Sequence, residues 1–277
     1  MLTNTFCHLH GITRAGEQKL WRAGILCWAD LERGAGEVFG KRKQDKLLRL
    51  LEASKTALER GDAGYFLRDL RGAEASRLLP HFQSKIGYVD IETTGLAAWS
   101  QITTIALYGD GVARLYVRGR NLDDFARDVR RFGVLVTYNG ARFDLPFLRA
   151  AFGDILPPAH IDLCPLLRSL GYRGGLKRCE QMLGVRRQVP EDLDGWWAVQ
   201  TWHRHRAGDT EALPLLLRYN AQDTLSLEHL LTWAYNRSME GHPHVNPLSV
   251  QVQPNLALIK ADTLFFDNRI ATTYCGA

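Results

Sequence analysis

Cysteine is scarce and scattered in this sequence. The five thiols, Cys7, Cys27, Cys164, Cys179 and Cys275, are odd in number, and no two form a C-x-x-C pair. That spacing excludes a zinc ribbon or a dithiol redox motif and fits small buried hydrophobes in a reducing compartment. Long apolar runs are also missing: no stretch reaches the roughly eighteen uninterrupted apolar residues that a membrane helix needs, and the N-terminus lacks a basic region followed by an apolar core. A soluble, cytoplasmic protein is therefore expected. Histidines pair at His8/His10, His203/His205 and His242/His244. None of these pairs brings four ligands together, so no local transition-metal site is expected there.

What is present is an ordinary globular composition, with 277 residues, 45% hydrophobic and 23% charged. The length suits one large domain or one domain with an appendage. A net charge of +5 and a pI near 9.0 lean mildly toward a polyanionic partner. The patterning divides the chain into a helical region over 1–80, an α/β region over 81–236 and an extension over 237–277.

The first region alternates short helical patterns with glycines. Around Gly11-Ile12-Thr13 it resembles half of a helix-hairpin-helix module, with threonine where the second glycine of the phosphate-binding turn would stand. Leucines at 47, 48, 50, 51 and 58 predict a helix with one buried face. Lys41, Arg42 and Lys43 would oppose its dipole, so they are expected to precede the helix or to meet an anion. Pro80 suits a boundary.

From residue 86 the pattern turns to strands: 86–92, 102–108 and 112–117, the last two joined by the tight-turn signal Gly109-Asp110-Gly111. A helix over 122–132, an apolar strand over 134–138 and a helix from Asp144 follow. This βββαβα order predicts a mixed sheet flanked by helices, the ribonuclease-H-like architecture, rather than a purely parallel sheet. The tail, with Pro243, Pro247, Pro254 and an alternating Val-Gln run at 250–253, fits either an added strand or a loose segment.

Three stretches carry chemistry. In Tyr88-Val-Asp-Ile-Glu-Thr-Thr-Gly-Leu96, Asp90 and Glu92 stand two apart on a strand and so share one face. Such a pair is commonly a wet strand face, but two like charges this close make best sense with a cation between them. In the second stretch, Asn139-Gly140 forces a turn, Phe143 can anchor in the core, and Asp144 opens a helix, where it could serve simply as a cap. In the third, Tyr219 and Asp223 lie one helical turn apart.

Taken together, these stretches resemble the DEDD superfamily of 3′→5′ exonucleases in its tyrosine-containing branch. Asp90, Glu92 and Thr93 match D-x-E-T; Asn139, Phe143 and Asp144 match N-x-x-x-F-D; Tyr219 and Asp223 match Y-x-x-x-D. The histidine branch would need histidine at position 218, which is arginine. Within the superfamily the chain is most similar to the YprB-type ribonuclease-H-like domain, through His160-Ile-Asp-Leu163, Gly175-Leu-Lys-Arg-Cys-Glu-Gln-Met-Leu-Gly184 and Tyr219-Asn220, over about residues 86–235.

The resemblance implies a five-stranded mixed sheet and hydrolysis at single-stranded DNA or RNA 3′ ends by a two-metal-ion mechanism. An all-carboxylate ligand set of Asp90, Glu92, Asp144 and Asp223 suits two Mg²⁺ or Mn²⁺ ions rather than zinc. Asp90 would bridge or nearly bridge them, with Glu92 and Asp223 on the ion that activates water and Asp144 supporting the other. Tyr219, whose phenol ordinarily titrates near ~10, is cast as a group that orients the attacking water. Thr93, Leu96, Asn139, Phe143 and Lys177 are the expected substrate contacts, with Arg178, Arg186 and Arg187 as further phosphate contacts beside the site. Trp196, Trp197 and Trp202 are read as a helical hairpin packing on the sheet. Competing readings are a non-catalytic nucleic-acid-binding module of the same fold and an endonuclease or structure-specific nuclease.

Overall fold

The computed structural model of the chain describes residues 2–34, 38–97, 99–188, 193–242 and 247–249. Cys275 and the alternating Val-Gln run lie outside them. Helices come first: α1 (Arg14–Arg22), α2 (Trp28–Gly34), α3 (Lys41–Glu59), α4 (Ala63–Leu67), a 3-10 segment over Gly72–Leu78 and α5 (Leu79–Phe82). Thr13, in the place of the second glycine of a helix-hairpin-helix turn, is the N-cap of α1, its hydroxyl accepting the Gly16 N–H at 3.2 Å. Lys41, Arg42 and Lys43 do not precede their helix: α3 begins at Lys41 with Gly40 as its cap, and Lys43 lies over the Phe39 ring at 4.1 Å. Cation–π stacking offsets part of the dipole penalty there. Pro80 sits inside the first turn of α5, where a missing N–H costs nothing.

These helices join the same apolar cluster as the sheet, for Leu2, Phe6, Leu20 and Phe66 share it with Tyr88, Val134, Ile161 and Leu230. A fully buried Arg77 ties them further, donating to Glu17 Oε1 at 2.8 Å. Arg14 reaches the carbonyl of Ser238 at 3.0 Å.

The sheet has five strands in the order β3-β2-β1-β4-β5: β1 (Ile86–Thr93), β2 (Ile102–Gly109), β3 (Val112–Val117), β4 (Val134–Thr137) and β5 (Ala159–Asp162). The first three are antiparallel, and β4 and β5 run parallel to β1. The hairpin turn is closed by Asp110 and Gly111, both with positive φ (54° and 71°), as a two-residue primed turn requires. The helix expected over 122–132 is broken into 3-10 pieces around α6 (Phe125–Asp128), although its apolar spacing survives and buries Phe125, Val129 and Phe132.

Strand alternation sorts the core. Val89, Ile91, Leu107 and Leu135 face α6 and α7 (Asp144–Phe152), whereas Tyr88 and Tyr108 face the other side. That second side is covered by α8 (Leu163–Ser169), α9 (Leu176–Met182), α10 (Gly195–Arg206) and α11 (Ala212–Ser238). Of the three tryptophans in α10, Trp202 is buried and Trp197 packs on the same cluster; Trp196 departs from the packing expectation at 65% exposed. Among the described residues no helix is long and apolar enough to cross a membrane.

The turn after β4 delivers Asp144. Asn139 takes φ 60°, and a Cβ at Gly140 would lie 2.1 Å from Thr137 Oγ1, which is itself bonded to His160 at 2.9 Å. Gly140→Ala is expected to lower the unfolding free energy by about 1–3 kcal/mol, the usual cost of overpacking. A urea titration checks this, and an unchanged midpoint would contradict it.

Candidate active site

The side chains gather where the carboxyl ends of β1 and β4 meet the middle of α11. In the register, Asp90 lies opposite Ala106 and Glu92 opposite Thr104, so the two carboxylates point to one face, with a ladder irregularity immediately after Glu92. On α11, Tyr219 and Asp223 stand one turn apart and face them. The helix is buried around most of its circumference, so each polar residue in it needs a partner. Asn220 bonds Asp90 twice, at 2.7 Å to Oδ2 and 3.1 Å to the main-chain carbonyl, and accepts from Thr104 Oγ1 at 3.1 Å. Gln222 accepts the Gln188 N–H at 3.0 Å.

Oxygens of Asp90, Glu92 and Asp223 all lie within 4.8 Å of one another. Asp144 is not part of that group. It is buried at the start of α7, where Phe143 rather than Asp144 is the N-cap residue, and its charge still acts on Asp90 and Glu92.

Burial, then the neighbouring carboxylates, pushes Asp90 and Glu92 far above the usual carboxylate range. Asp144 is raised to about 7, chiefly by burial and against the pull of backbone hydrogen bonds. Asp223 is also raised by burial, with Arg187 opposing. Among the described residues Asp90, Glu92 and Asp144 have no ion-pair partner, whereas Asp223 meets Arg187 Nη2 at 2.5 Å. A cluster of hard oxygen donors without thiolate or imidazole, and deficient in positive charge, fits a divalent cation such as Mg²⁺ or Mn²⁺.

Tyr219 is buried and hydrogen-bonded to Asp223, and burial together with the surrounding carboxylates holds its phenol protonated well above the ordinary tyrosine value. The Lys177 ammonium lies 4.7 Å from the centre of its ring and has no hydrogen-bond partner among the described residues. Burial depresses its pKa, with Asp223 opposing.

The remaining predicted contacts divide. Thr93 is buried and spends its hydroxyl on the Gly95 carbonyl at 2.6 Å, shaping the turn that carries Leu96. Leu96 is 86% exposed, as is Trp99 beyond it, on a loop closed by paired bonds between Thr94 and Gln101. Asn139 is exposed, and its N–H donates to Asp162 Oδ1 at 2.7 Å; Phe143 is half-buried against Phe147. Arg178 and Arg186 are exposed, whereas the Arg187 side chain is buried, which removes it from the expected phosphate contacts.

Sequence reasoning gave none of Asn220, Asp162, Glu180 and Arg187 a positioning role: the first three stand only within stretches that carry the resemblance, and Arg187 is expected there as a phosphate contact. Asn220 carried a readable signal only in part, as one of several polar side chains on a helix rich in leucine. Asp162 ends β5 and fixes the turn before Asp144 through Asn139 and Ala141, a long-range pairing without local signature.

The RNase_H_2 family model, of the RNase_H superfamily, matches residues 87–235, more than half of the chain. No match to a curated protein was found. Among solved structures, a family B DNA polymerase from the archaeon Pyrobaculum calidifontis aligns at 19% identity with a TM-score of 0.42. The alignment covers 56% of this chain and 24% of the polymerase.

Carboxyls whose pKa rises on folding stabilise the fold when protonated. That contribution is full below the unfolded carboxyl range near ~4 and is lost as pH climbs through the folded value, about 7 for Asp144. In EDTA, the melting temperature is therefore expected to rise as pH falls from about 8 to about 5.5, with a shallower slope in Asp144→Asn. Scanning fluorimetry of both proteins measures this, and parallel slopes would contradict it.

Proposed function

The chain belongs to the RNase H superfamily, and from that premise we propose that it is a metal-dependent 3′→5′ exonuclease of the tyrosine-containing DEDD branch. Its substrate on this reading is a single-stranded nucleic-acid end, cut at a phosphodiester bond. The observation that carries the reading is the convergence of Asp90, Glu92 and Asp223 within 4.8 Å beside the protonated phenol of Tyr219. A pure nucleic-acid binder gains nothing from buried acidic groups facing phosphates, since they repel the ligand without a cation.

Asp90, Glu92 and Asp223, with Asp144 at the margin, would hold a pair of Mg²⁺ or Mn²⁺ ions. Such ions, when bound, would supply Lewis-acid polarisation of a phosphoryl oxygen and make a bound water more acidic. The protein's own groups do the rest. Asn220 locks the Asp90 carboxylate from below, through bonds to both its side chain and its carbonyl. Tyr219, too basic to lose its proton, orients the attacking water by hydrogen bonding rather than abstracting a proton. Lys177, its ammonium buried over the Tyr219 ring without a hydrogen-bond partner among the described residues, adds positive charge beside Glu92 and Asp223. Leu96 and Trp99 present apolar surface to unstacked terminal bases, which suits a single-stranded end.

End-labelled DNA and RNA oligonucleotides are expected to shorten stepwise from the 3′ end with Mg²⁺ or Mn²⁺ and to survive in EDTA. Asp90→Ala and Asp223→Ala should abolish shortening, and Tyr219→Phe should slow it roughly 100-fold, a usual cost of removing one preorganised hydrogen-bonding group. Undiminished cleavage in both aspartate variants would sink the assignment. Cutting of a circular substrate would point to an endonuclease instead.

A further inference from the structure

A buried arginine beside a cluster of carboxylates invites the view that it is a counter-charge, but its second partner argues otherwise. Arg187 Nη2 donates to Asp223 Oδ1 at 2.5 Å while Nη1 donates to Glu180 Oε2, also at 2.5 Å. Glu180 is fully buried and Arg187 is 1% exposed at its side chain, so both charges are removed from water at considerable cost. Arg187 lowers the pKa of Asp223 locally, but as a counter-charge for the cluster as a whole it is offset by Glu180, because the Glu180–Arg187 pair carries no net charge. What the pair retains is direction: a rigid donor aimed at one oxygen of Asp223.

The chain path fixes that donor. At the end of α9 the Val185 N–H bonds the Glu180 carbonyl at 2.9 Å and the Gly184 N–H bonds that of Gln181 at 3.2 Å, with Gly184 at φ 71°. This double closure reverses the chain, so that Arg187 returns alongside Glu180. The next residue, Gln188, is bonded through its N–H to Gln222 on α11, one position before Asp223. Arg187 is thereby held on either side, by the turn before it and by α11 after it.

We infer that Arg187, anchored by Glu180, is a positioning residue that holds one oxygen of Asp223 and leaves the other turned to the cation site. The inference rests on the cation-site reading above. Partners of this kind behind metal ligands orient them, and their loss typically weakens metal affinity by roughly 10–100-fold.

The sign of one measurement separates positioning from charge balance. Mn²⁺ binding is measured by isothermal titration calorimetry on the full chain without nucleic acid, with melting temperatures as a check on folding. Removing a cation beside a cation site should, by electrostatics alone, tighten Mn²⁺ binding. Positioning predicts that Arg187→Gln weakens it by about tenfold or more. The double variant Glu180→Met/Arg187→Met leaves the net charge unchanged and replaces a buried ion pair with apolar side chains, a change that folds tolerate. It should weaken binding similarly, and it decides the matter if Arg187→Gln does not fold. Wild-type-like or tighter binding in the folded variants overturns the inference alone. Absence of Mn²⁺ binding by the wild-type protein overturns the cation-site reading beneath it.

Discussion

Three buried carboxylates and the half-buried Asp90 crowd one corner of the molecule, and the protein supplies only part of the positive charge that would quiet their repulsion. Asp90, Glu92 and Asp144 have no ion-pair partner among the described residues, and the pair formed by Arg187 and Glu180 adds direction at Asp223 without net charge. A structure that keeps such a site must hold each side chain by other means. Asn220 clamps Asp90, the turn at Asn139 and Gly140 delivers Asp144, and a long buried helix sets Tyr219 against Asp223. The strain is distributed through the scaffold, and a divalent cation is the ligand that would relieve it.

Much of this was readable in the sequence, for identifiable reasons. The strands β1 to β4 announce themselves as β-branched runs, and the hairpin turn by its glycines; the i, i+2 and i, i+4 spacings then place Asp90 with Glu92 and Tyr219 with Asp223. β5 was not located as a strand, because Ala159–Asp162 is four residues long and mixes a histidine and an aspartate into its alternation. The helix over 122–132 was right in its buried face and wrong in its hydrogen bonding, since periodicity reports which residues face the core and not the pitch of the backbone.

The errors near the site share a cause. Arg187 reads as a surface cation in a basic stretch, and nothing local distinguishes it from its exposed neighbour Arg186. Its burial follows from a turn at Gly184 and from carboxylates 7 and 36 residues away along the chain. Lys41 likewise reads as lying ahead of its helix, because dipole arguments do not see the Phe39 ring that receives Lys43. The residues that gather in the carboxylate corner were legible through their spacing, while those that hold them in place were not, because positioning is a property of tertiary contact.

Anomalous diffraction from crystals loaded with Mn²⁺ shows whether this carboxylate corner is a cation site. Anomalous density bounded by Asp90, Glu92 and Asp223, lost in Asp90→Asn crystals, is the expected result. Fully loaded crystals with no density there, or with density only at other carboxylates, would contradict it.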